Sequence, residues 1–218
     1  MHIDEAVSLL NSEHFLKDLD LSALELSGVI LEDRMFEKVS FKGAVLSGST
    51  FSLCIFREAD FSGARIQGAR FLHCSFINCA FDELNAPSSQ FHACSFDGSK
   101  FKLSVFSGAD LSHCTFSGCS MEKCLFSGAT LVSATFSKCV AEQPDFTKAN
   151  LDRFTLVEST LSAPVFSSTN LSYAIMMDHQ LDAVSFKGCN LTLAVLERSR
   201  SEERRGGKEC RSRGSPRN

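Results

Sequence analysis

The sequence predicts an all-β chain that repeats a short extended piece followed by a corner. Every fifth residue from Leu21 to Leu196 is large and apolar, except Ala86 and Ala141, which makes 36 positions in one unbroken phase. Eighteen of the 20 phenylalanines lie on these positions. A period of five fits neither an α-helix, whose period is 3.6, nor a long strand, whose period is two. The pattern therefore indicates a solenoid, in which short units stack on one another.

Smaller residues form a second set, two positions before each large residue, as with Ala44, Ser49 and Cys54. Positions two apart in an extended segment face the same side, so each unit is predicted to send one large and one small side chain inward. The three remaining positions are mostly Ser, Gly, Asp, Asn, Lys and Thr. We expect them to point outward or to form the corner, where glycine suits the backbone geometry.

Several units resemble the A(D/N)LXX motif of the pentapeptide-repeat family, namely Ala59-Asp60-Phe61-Ser62-Gly63, Ala109-Asp110-Leu111-Ser112-His113 and Ala149-Asn150-Leu151-Asp152-Arg153. The resemblance covers about four-fifths of the chain. It implies a right-handed quadrilateral parallel β-helix with four units per coil. The 36 repeat positions then correspond to about nine coils over residues 19–198.

Folding the sequence at twenty residues supports this coil length independently of the family. Like residues then stack on like, as expected for neighbouring repeats. One outsider, Phe154, falls in a small column between Ala134 and Ala174. The adjacent large positions shrink there from phenylalanine to Leu156 and Met176. Such conservation of volume is what a close-packed interior requires.

The two termini lie outside the repeat. Residues 1–18 are predicted to form a helical N-terminal cap, in which Asp4 is the capping residue and apolar side chains cover the first coil. The cap would bury Ile3, Val7, Leu9, Leu10 and Phe15. Residues 199–218 are basic and aperiodic, and we expect them to be disordered. Two interpretations stay open, a basic interaction tail or, as we favour, non-native run-through at the end of a truncated gene model.

Prolines are expected to disturb the ladder locally. Pro87 follows Ala86, and Pro144 follows Ala141, so proline accompanies both small residues at large inward positions. Because proline removes a ladder donor, we expect a bulge or bend at each of these places. Pro164 lies twenty residues after Pro144 and would stack on it.

Ten cysteines raise the possibility of disulfides or metal binding, but their positions favour packing. Cys210 alone lies outside the repeat, and nine occupy the small inward position: Cys54, Cys74, Cys79, Cys94, Cys114, Cys119, Cys124, Cys139 and Cys189. Buried free cysteine behaves as a small hydrophobic residue. We therefore expect these nine to be buried, reduced and without metal.

Histidines are similarly interpreted as ordinary residues. His73, His92 and His113 fall on neighbouring outward columns, where Ala93 and Ser112 separate them. We expect a solvated surface here, although imidazole is a common metal ligand. His179 falls on a small inward position, which indicates a strained or locally open coil.

No catalytic motif appears, so we predict that the chain is not an enzyme and holds no cofactor. Residues 1–198 carry 15 basic and 23 acidic side chains, a net charge of −8, which disfavours direct binding of nucleic acid. No apolar run approaches the ~20 residues of a membrane span. The first residues lack the basic region of a signal peptide, so a cytoplasmic location is expected.

Acidic residues concentrate on one side, at Asp60, Asp82, Glu83, Glu122, Glu142 and Asp182. Lysines dilute this predicted partner-binding face, at Lys42, Lys100, Lys102 and Lys123. Our first interpretation is a non-catalytic scaffold that binds an unidentified protein.

The family resemblance implies two alternatives. One is a DNA-mimicking quinolone-resistance (Qnr-type) protein that binds and protects a type II topoisomerase, DNA gyrase or topoisomerase IV. Such relatives usually carry projecting loops and a C-terminal dimerisation segment, whereas the phase here is unbroken. The other is an effector or accessory protein of a secretion system.

Assembly is predicted through the C-terminal coil. Its apolar side chains, Leu181, Phe186, Leu191 and Leu196, would remain exposed together with strand edges. Because unpaired edges are templates for pairing, we expect a homodimer joined end to end through this coil, or slow aggregation.

Overall fold

The structure, a computed structural model, describes residues 2–177, 180–182 and 184–197. One helix, α1 (Ile3–Ser12), precedes a long series of short parallel strands. The expectations for His179, for Cys210 and for the tail 199–218 lie outside the described residues. No helix in the described part of the chain is long and apolar enough to cross a membrane.

Eighteen strands of three residues each are present in the described ranges, and they form three parallel sheets. The largest sheet contains ten strands: β1 (Phe15–Lys17), β3 (Met35–Glu37), β5 (Ile55–Arg57), β7 (Ser75–Ile77), β9 (Ser95–Asp97), β10 (Thr115–Ser117), β12 (Thr135–Ser137), β14 (Thr155–Val157), β16 (Ile175–Met177) and β18 (Val195–Glu197). A second sheet contains β2 (Ile30–Glu32), β4 (Thr50–Ser52), β6 (Arg70–Leu72) and β8 (Gln90–His92). The third contains β11 (Ser120–Glu122), β13 (Val140–Glu142), β15 (Thr160–Ser162) and β17 (Gln180–Asp182).

Every strand pair joins residues that are twenty apart, as Leu16 is from Phe36. Isolated bridges between non-strand residues have the same spacing, for example between Glu25 and Val45. One coil therefore contains twenty residues, and nine coils lie between Leu16 and Leu196. This confirms the predicted β-helix of pentapeptide units.

Each coil has four faces, which we name after their first inward residues as the Leu16, Leu21, Leu26 and Leu31 faces. The ten-stranded sheet covers the Leu16 face along its whole length. Strands occupy the Leu31 face only as far as β8, and the opposite Leu21 face only from β11 onward. Single bridges join the coils on the remaining surfaces.

Phenylalanine rings fill the core in continuous stacks. On the Leu16 face, Phe56, Phe76 and Phe96 lie parallel, with ring centroids 4.9 and 4.8 Å apart. Rings on adjacent faces meet edge to face, as Phe76 does with Phe81 at 5.3 Å. Both are favoured arrangements of aromatic pairs. The coil spacing of a β-sheet thus coincides with the spacing of stacked rings.

Phe154 interrupts this stacking in the way that volume conservation predicts. It is buried, and its ring lies edge to face against Phe136, 5.0 Å away. Phe136 is itself turned by 62° from Phe116, whereas the earlier rings of the column are nearly parallel. The smaller Leu156 stacks above Phe136, which leaves the space that Phe154 occupies.

Small inward residues connect one coil to the preceding one through their side chains. The hydroxyl of Ser49 donates to the Leu26 carbonyl at 3.0 Å, and the thiol of Cys94 donates to the Phe71 carbonyl at 3.3 Å. In each case the acceptor lies 23 residues earlier. Thirteen side chains of the described part do this: Ser49, Cys54, Cys74, Cys79, Cys94, Ser104, Cys114, Cys119, Cys124, Cys139, Ser159, Thr169 and Cys189.

In the described chain, each corner places one residue in the left-handed region, from Asp18 (φ 52°) to Leu193 (φ 55°). Ten of these residues are glycine, and the rest carry side chains. The amide of the left-handed residue forms a hydrogen bond to the next coil. In Ala23, for example, the N–H donates to the Lys42 carbonyl at 2.8 Å. Glycine at the corner, as predicted, suits this conformation but is not required by it.

The N-terminal prediction needs three corrections. The solenoid begins at β1 rather than at residue 19, because Leu16 is already in phase and pairs with Phe36. Phe15 is 50% exposed instead of buried, since it precedes the inward residue on a strand. The helix is capped by His2, whose side chain accepts from the Asp4 amide.

The cap nevertheless covers the first coil. Ala6 and Leu10 of helix α1 are fully buried, and Ile3, Val7 and Leu9 pack partly buried against the core.

Prolines do not break the ladder, which corrects the expected bulges. Ala86 is buried, and its N–H donates to Val105 at 2.9 Å. On the faces that carry the prolines, the equivalent amides bond within their own corner. On the same face as Pro87, the equivalent amide of Thr147 bonds to the Asp145 carboxylate at 2.8 Å.

Pro144 and Pro164 also leave the hydrogen bonds between coils intact. Pro144 and Pro164 occupy the repeat position of Leu84, whose amide donates to Phe81 within its turn at 3.0 Å. Ala141 accordingly stays in register between Met121 and Leu161. Proline at such positions removes no bond between coils.

We expect Cys94→Ser to keep the bond to the Phe71 carbonyl and to lower the free energy of unfolding by less than about 1 kcal/mol. Cys94→Leu should lower the free energy of unfolding by about 1–3 kcal/mol, because the small inward position has no room for a larger side chain. Urea denaturation measures both values. Ser104→Cys is the matched control, since the two residue types alternate in this role, and it should be nearly neutral. Equal loss in both Cys94 variants would contradict the assignment.

Leu156→Phe is expected to destabilise the chain by about 1–3 kcal/mol, because Phe154 occupies the space that the larger ring needs. Phe154→Ala alone should cost about 3–5 kcal/mol through the cavity it leaves. In the double variant the new ring fills that cavity, so the loss should fall at least about 1 kcal/mol below the sum. Additive losses would show that the two side chains do not share one volume.

Candidate interaction face

Three of the predicted acidic residues are close together on the Leu21 face. Asp82, Glu122 and Glu142 line a shallow depression of about 300 Å³, together with Lys100 and Lys102. They occupy the same outward position of their coils, and Lys102 occupies that position in the coil between Asp82 and Glu122. Exposed Val140 and the edge of buried Met121 supply apolar lining. We call this set of residues the Glu122 depression.

Lys102 organises the charges of the Glu122 depression. Its ammonium lies 3.1 Å from the Glu122 carboxylate, and its backbone amide donates to the Asp82 carboxylate at 2.8 Å. The hydrogen bond that the ammonium donates to Glu122, with the charges of Glu122, Asp82 and Glu142, raises the pKa of Lys102. This side of the protein is therefore a mixed surface rather than a continuous acidic stripe.

The other predicted acidic residues are separated from this group. Asp60 directs its carboxylate to its own corner, where it accepts from the Ser62 amide at 2.8 Å. Glu83 is exposed at a corner with φ 57°. The backbone of Asp182 pairs with Ser162, but its side chain lies outside those described.

Ion pairs elsewhere also join adjacent coils. Lys17 lies 2.6 Å from Glu37, and their hydrogen bond raises the pKa of Lys17 and lowers that of Glu37. Lys138 and Glu158 are likewise twenty residues apart, at 3.9 Å. Exposed pairs contribute only about 0–1 kcal/mol. The charges of the outward columns can therefore vary with little effect on the fold.

The three histidines are closer than their sequence positions predicted. The ring of His92 lies edge-on to His73, with centroids 5.9 Å apart, and edge-on to His113 at 5.6 Å. The expectation that Ala93 and Ser112 keep them apart is therefore wrong, because His92 contacts its neighbours diagonally. All three residues are exposed, as expected.

Apolar side chains are exposed on the last described coils. Phe186 and Leu191 are half-buried, and Leu196 is 36% exposed, whereas the side chain of Leu181 lies outside those described. Outward apolar residues continue this surface onto the sides: Tyr173, Ile175, Met177, Leu193 and Val195. Our sequence reasoning missed the lateral residues. For Ile175 and Val195 the signal was an apolar residue at an outward position where the five coils before Ile175 carry serine or threonine.

Eight of the nine described cysteines are buried, as predicted, whereas Cys189 is half-buried. The nine described cysteines are free thiols. Burial raises the pKa of Cys79 to about 12, which keeps this thiol protonated and a poor ligand or nucleophile. Among the residues that the structure describes, no group of three or more His, Cys, Asp or Glu is placed to enclose a metal ion.

Solved structures with similar folds include pentapeptide-repeat proteins. A trypsin-treated variant of QnrB1, a plasmid-mediated fluoroquinolone resistance protein, matches with 20% identity, a TM-score of 0.47, and coverage of 78% of this chain and 89% of that chain. HetL, involved in heterocyst differentiation regulation in the cyanobacterium Nostoc sp. strain PCC 7120, has 18% identity, a TM-score of 0.42, and coverage of 89% and 94%. At these values we base no functional argument on the similarity.

Family models match the repeat directly. The model described as pentapeptide repeat region matches residues 69–142, and the one described as pentapeptide repeats (9 copies) matches residues 35–79. No relative is found among curated protein sequences. Residues 35–142, which the two matches span together, contain 15 of the 18 phenylalanines at large inward positions. The chain therefore belongs to the pentapeptide-repeat proteins.

Proposed function

We propose that this protein is a non-catalytic scaffold that binds a protein partner through its outward side chains. The solid core supports this proposal, because the inward side chains are occupied in ring stacks and bonds between coils. Specificity then resides in the outward columns, which vary from coil to coil while the backbone repeats. A reducing compartment such as the cytoplasm fits the nine free thiols.

The Glu122 depression is the surface we propose for the partner. Val140 is 61% exposed beside the carboxylates of Glu122 and Glu142, which gives an apolar centre with a charged rim. Interfaces between proteins commonly have this anatomy. Three carboxylates and two lysines leave one net negative charge, so an arginine or lysine whose apolar stem covers Val140 fits best.

Affinity capture from lysate of the encoding organism tests this proposal. Asp82→Asn with Glu142→Gln should reduce recovery of the principal partner at least about fivefold, because the partner's arginine or lysine then faces two fewer carboxylates. Asp97→Asn with Glu58→Gln, on the exposed Leu16 face, is the matched control and should capture as the unmodified chain does. Equal recovery by both variants would refute this binding surface while leaving a scaffold role on another face.

Two alternative functions are distinguished by companion assays. A DNA-mimicking role predicts that gyrase is captured and that the chain restores supercoiling in the presence of a quinolone. An effector role in a secretion system predicts that the chain appears in the culture medium in a secretion-dependent manner. The mixed charge of the Glu122 depression favours a general protein partner over mimicry of DNA.

We also propose self-association through the apolar surface of the last described coils. Leu193 is 69% exposed and Leu196 36% exposed, so Leu193→Lys with Leu196→Lys should shift a dimer to monomer. Light scattering at tens of micromolar, about where weak interfaces populate, measures the change.

The matched control for self-association is Leu53→Lys with Leu103→Lys. These leucines are also exposed, at 54% and 43%, and lie at the same corner position as Leu193. The control should leave the molecular mass unchanged. A monomeric unmodified chain would refute self-association through this surface.

A further inference from the structure

We propose that His73, His92 and His113 form an open surface site for one divalent transition-metal ion, with His92 as the shared ligand. Imidazole is a good ligand for Zn²⁺, Cu²⁺ and Ni²⁺. The three rings lie in two edge-on pairs that meet at His92. This site is independent of the proposed protein partner.

The ring separations suit coordination by two imidazoles. With a metal–nitrogen bond of about 2.1 Å, a ring centroid lies about 3.2 Å from the ion. Centroids 5.6 and 5.9 Å apart then correspond to ligand–metal–ligand angles of about 120–135°. A modest rotation of exposed rings brings either pair to the tetrahedral angle of zinc.

The backbone holds the three histidines in place. The amide of His73 donates to the His92 carbonyl at 3.0 Å, and that of His113 donates to the next coil at 2.9 Å. Ala93 lies between His73 and His113 in their column, and its small side chain leaves room for the His92 ring. Preorganisation of this kind reduces the entropy lost when a ligand binds.

Water must complete the coordination shell. Asp110, the outward carboxylate of the neighbouring unit, accepts from the Ser112 amide at 2.9 Å and is directed toward its own corner. Two imidazoles and solvent oxygens therefore surround the ion, which is consistent with the lack of an enclosing three-ligand group among the described residues. Because both pairs use His92, only one ion binds at a time.

Isothermal titration of the full chain with zinc chloride tests the site. We expect one ion per chain. His92→Gln removes both pairs and should weaken binding at least about tenfold, whereas His73→Asn or His113→Asn removes one pair and should weaken it about twofold. Asparagine is chosen because His73 and His113 have φ values of 54° and 61°, and Asn78 occupies the equivalent conformation.

Two control variants remove other side chains of this protein that could bind zinc. His2→Ala and Cys210→Ser should bind zinc as the unmodified chain does. The double variant His73→Asn with His113→Asn should match His92→Gln, which a single independent ligand would not produce. Binding by His92→Gln within about twofold of the unmodified chain, or no binding at about 1 mM zinc, would overturn the proposal.

Discussion

Stacking of each coil on the next, in register and at the separation of one strand, is the constraint on which the rest of the structure depends. The same twenty-residue step carries the backbone ladder, the phenylalanine stacks and the ion pairs such as Lys17–Glu37. Thiols and hydroxyls at the small inward position reach across the same gap. A single inserted residue would shift all of these partners at once, which explains why the phase is unbroken.

The corners show how unfavourable local geometry is tolerated. A non-glycine residue in the left-handed region costs roughly 1–2 kcal/mol, and most corners of the described chain carry one. Its amide, as in Ala23, bonds to the next coil, so the local cost is offset only within the stack. A unit in isolation would lack this bond and the faces that bury its large side chain. Stability therefore belongs to neighbouring coils rather than to single units.

Separation of the core from the surface explains how a uniform fold can carry specific recognition. The inward positions are interchangeable within narrow limits of volume, as Phe154 and Leu156 illustrate. The outward positions carry exposed charges, imidazoles and apolar side chains whose replacement has little effect on the fold. Columns of outward residues at one-strand spacing, such as Asp82, Lys102, Glu122 and Glu142, become continuous surfaces without any loop to present them.

The sequence by itself determined the coil length, the core, the slots of the cysteines and the grouping of Asp82, Glu122 and Glu142. The period of five set the inward positions, and the family resemblance implied four units per coil. Stacking of like residues at twenty-residue spacing supported that coil length, because residues twenty apart lie on neighbouring coils. Only the tertiary structure decided that Phe15 is exposed, that the prolines fit the ladder and that strands pass from the Leu31 face to the Leu21 face. It also decided that His92 reaches both neighbouring histidines. These features depend on side-chain directions, on diagonal contacts and on which amides the corners use, and a linear period carries none of that information.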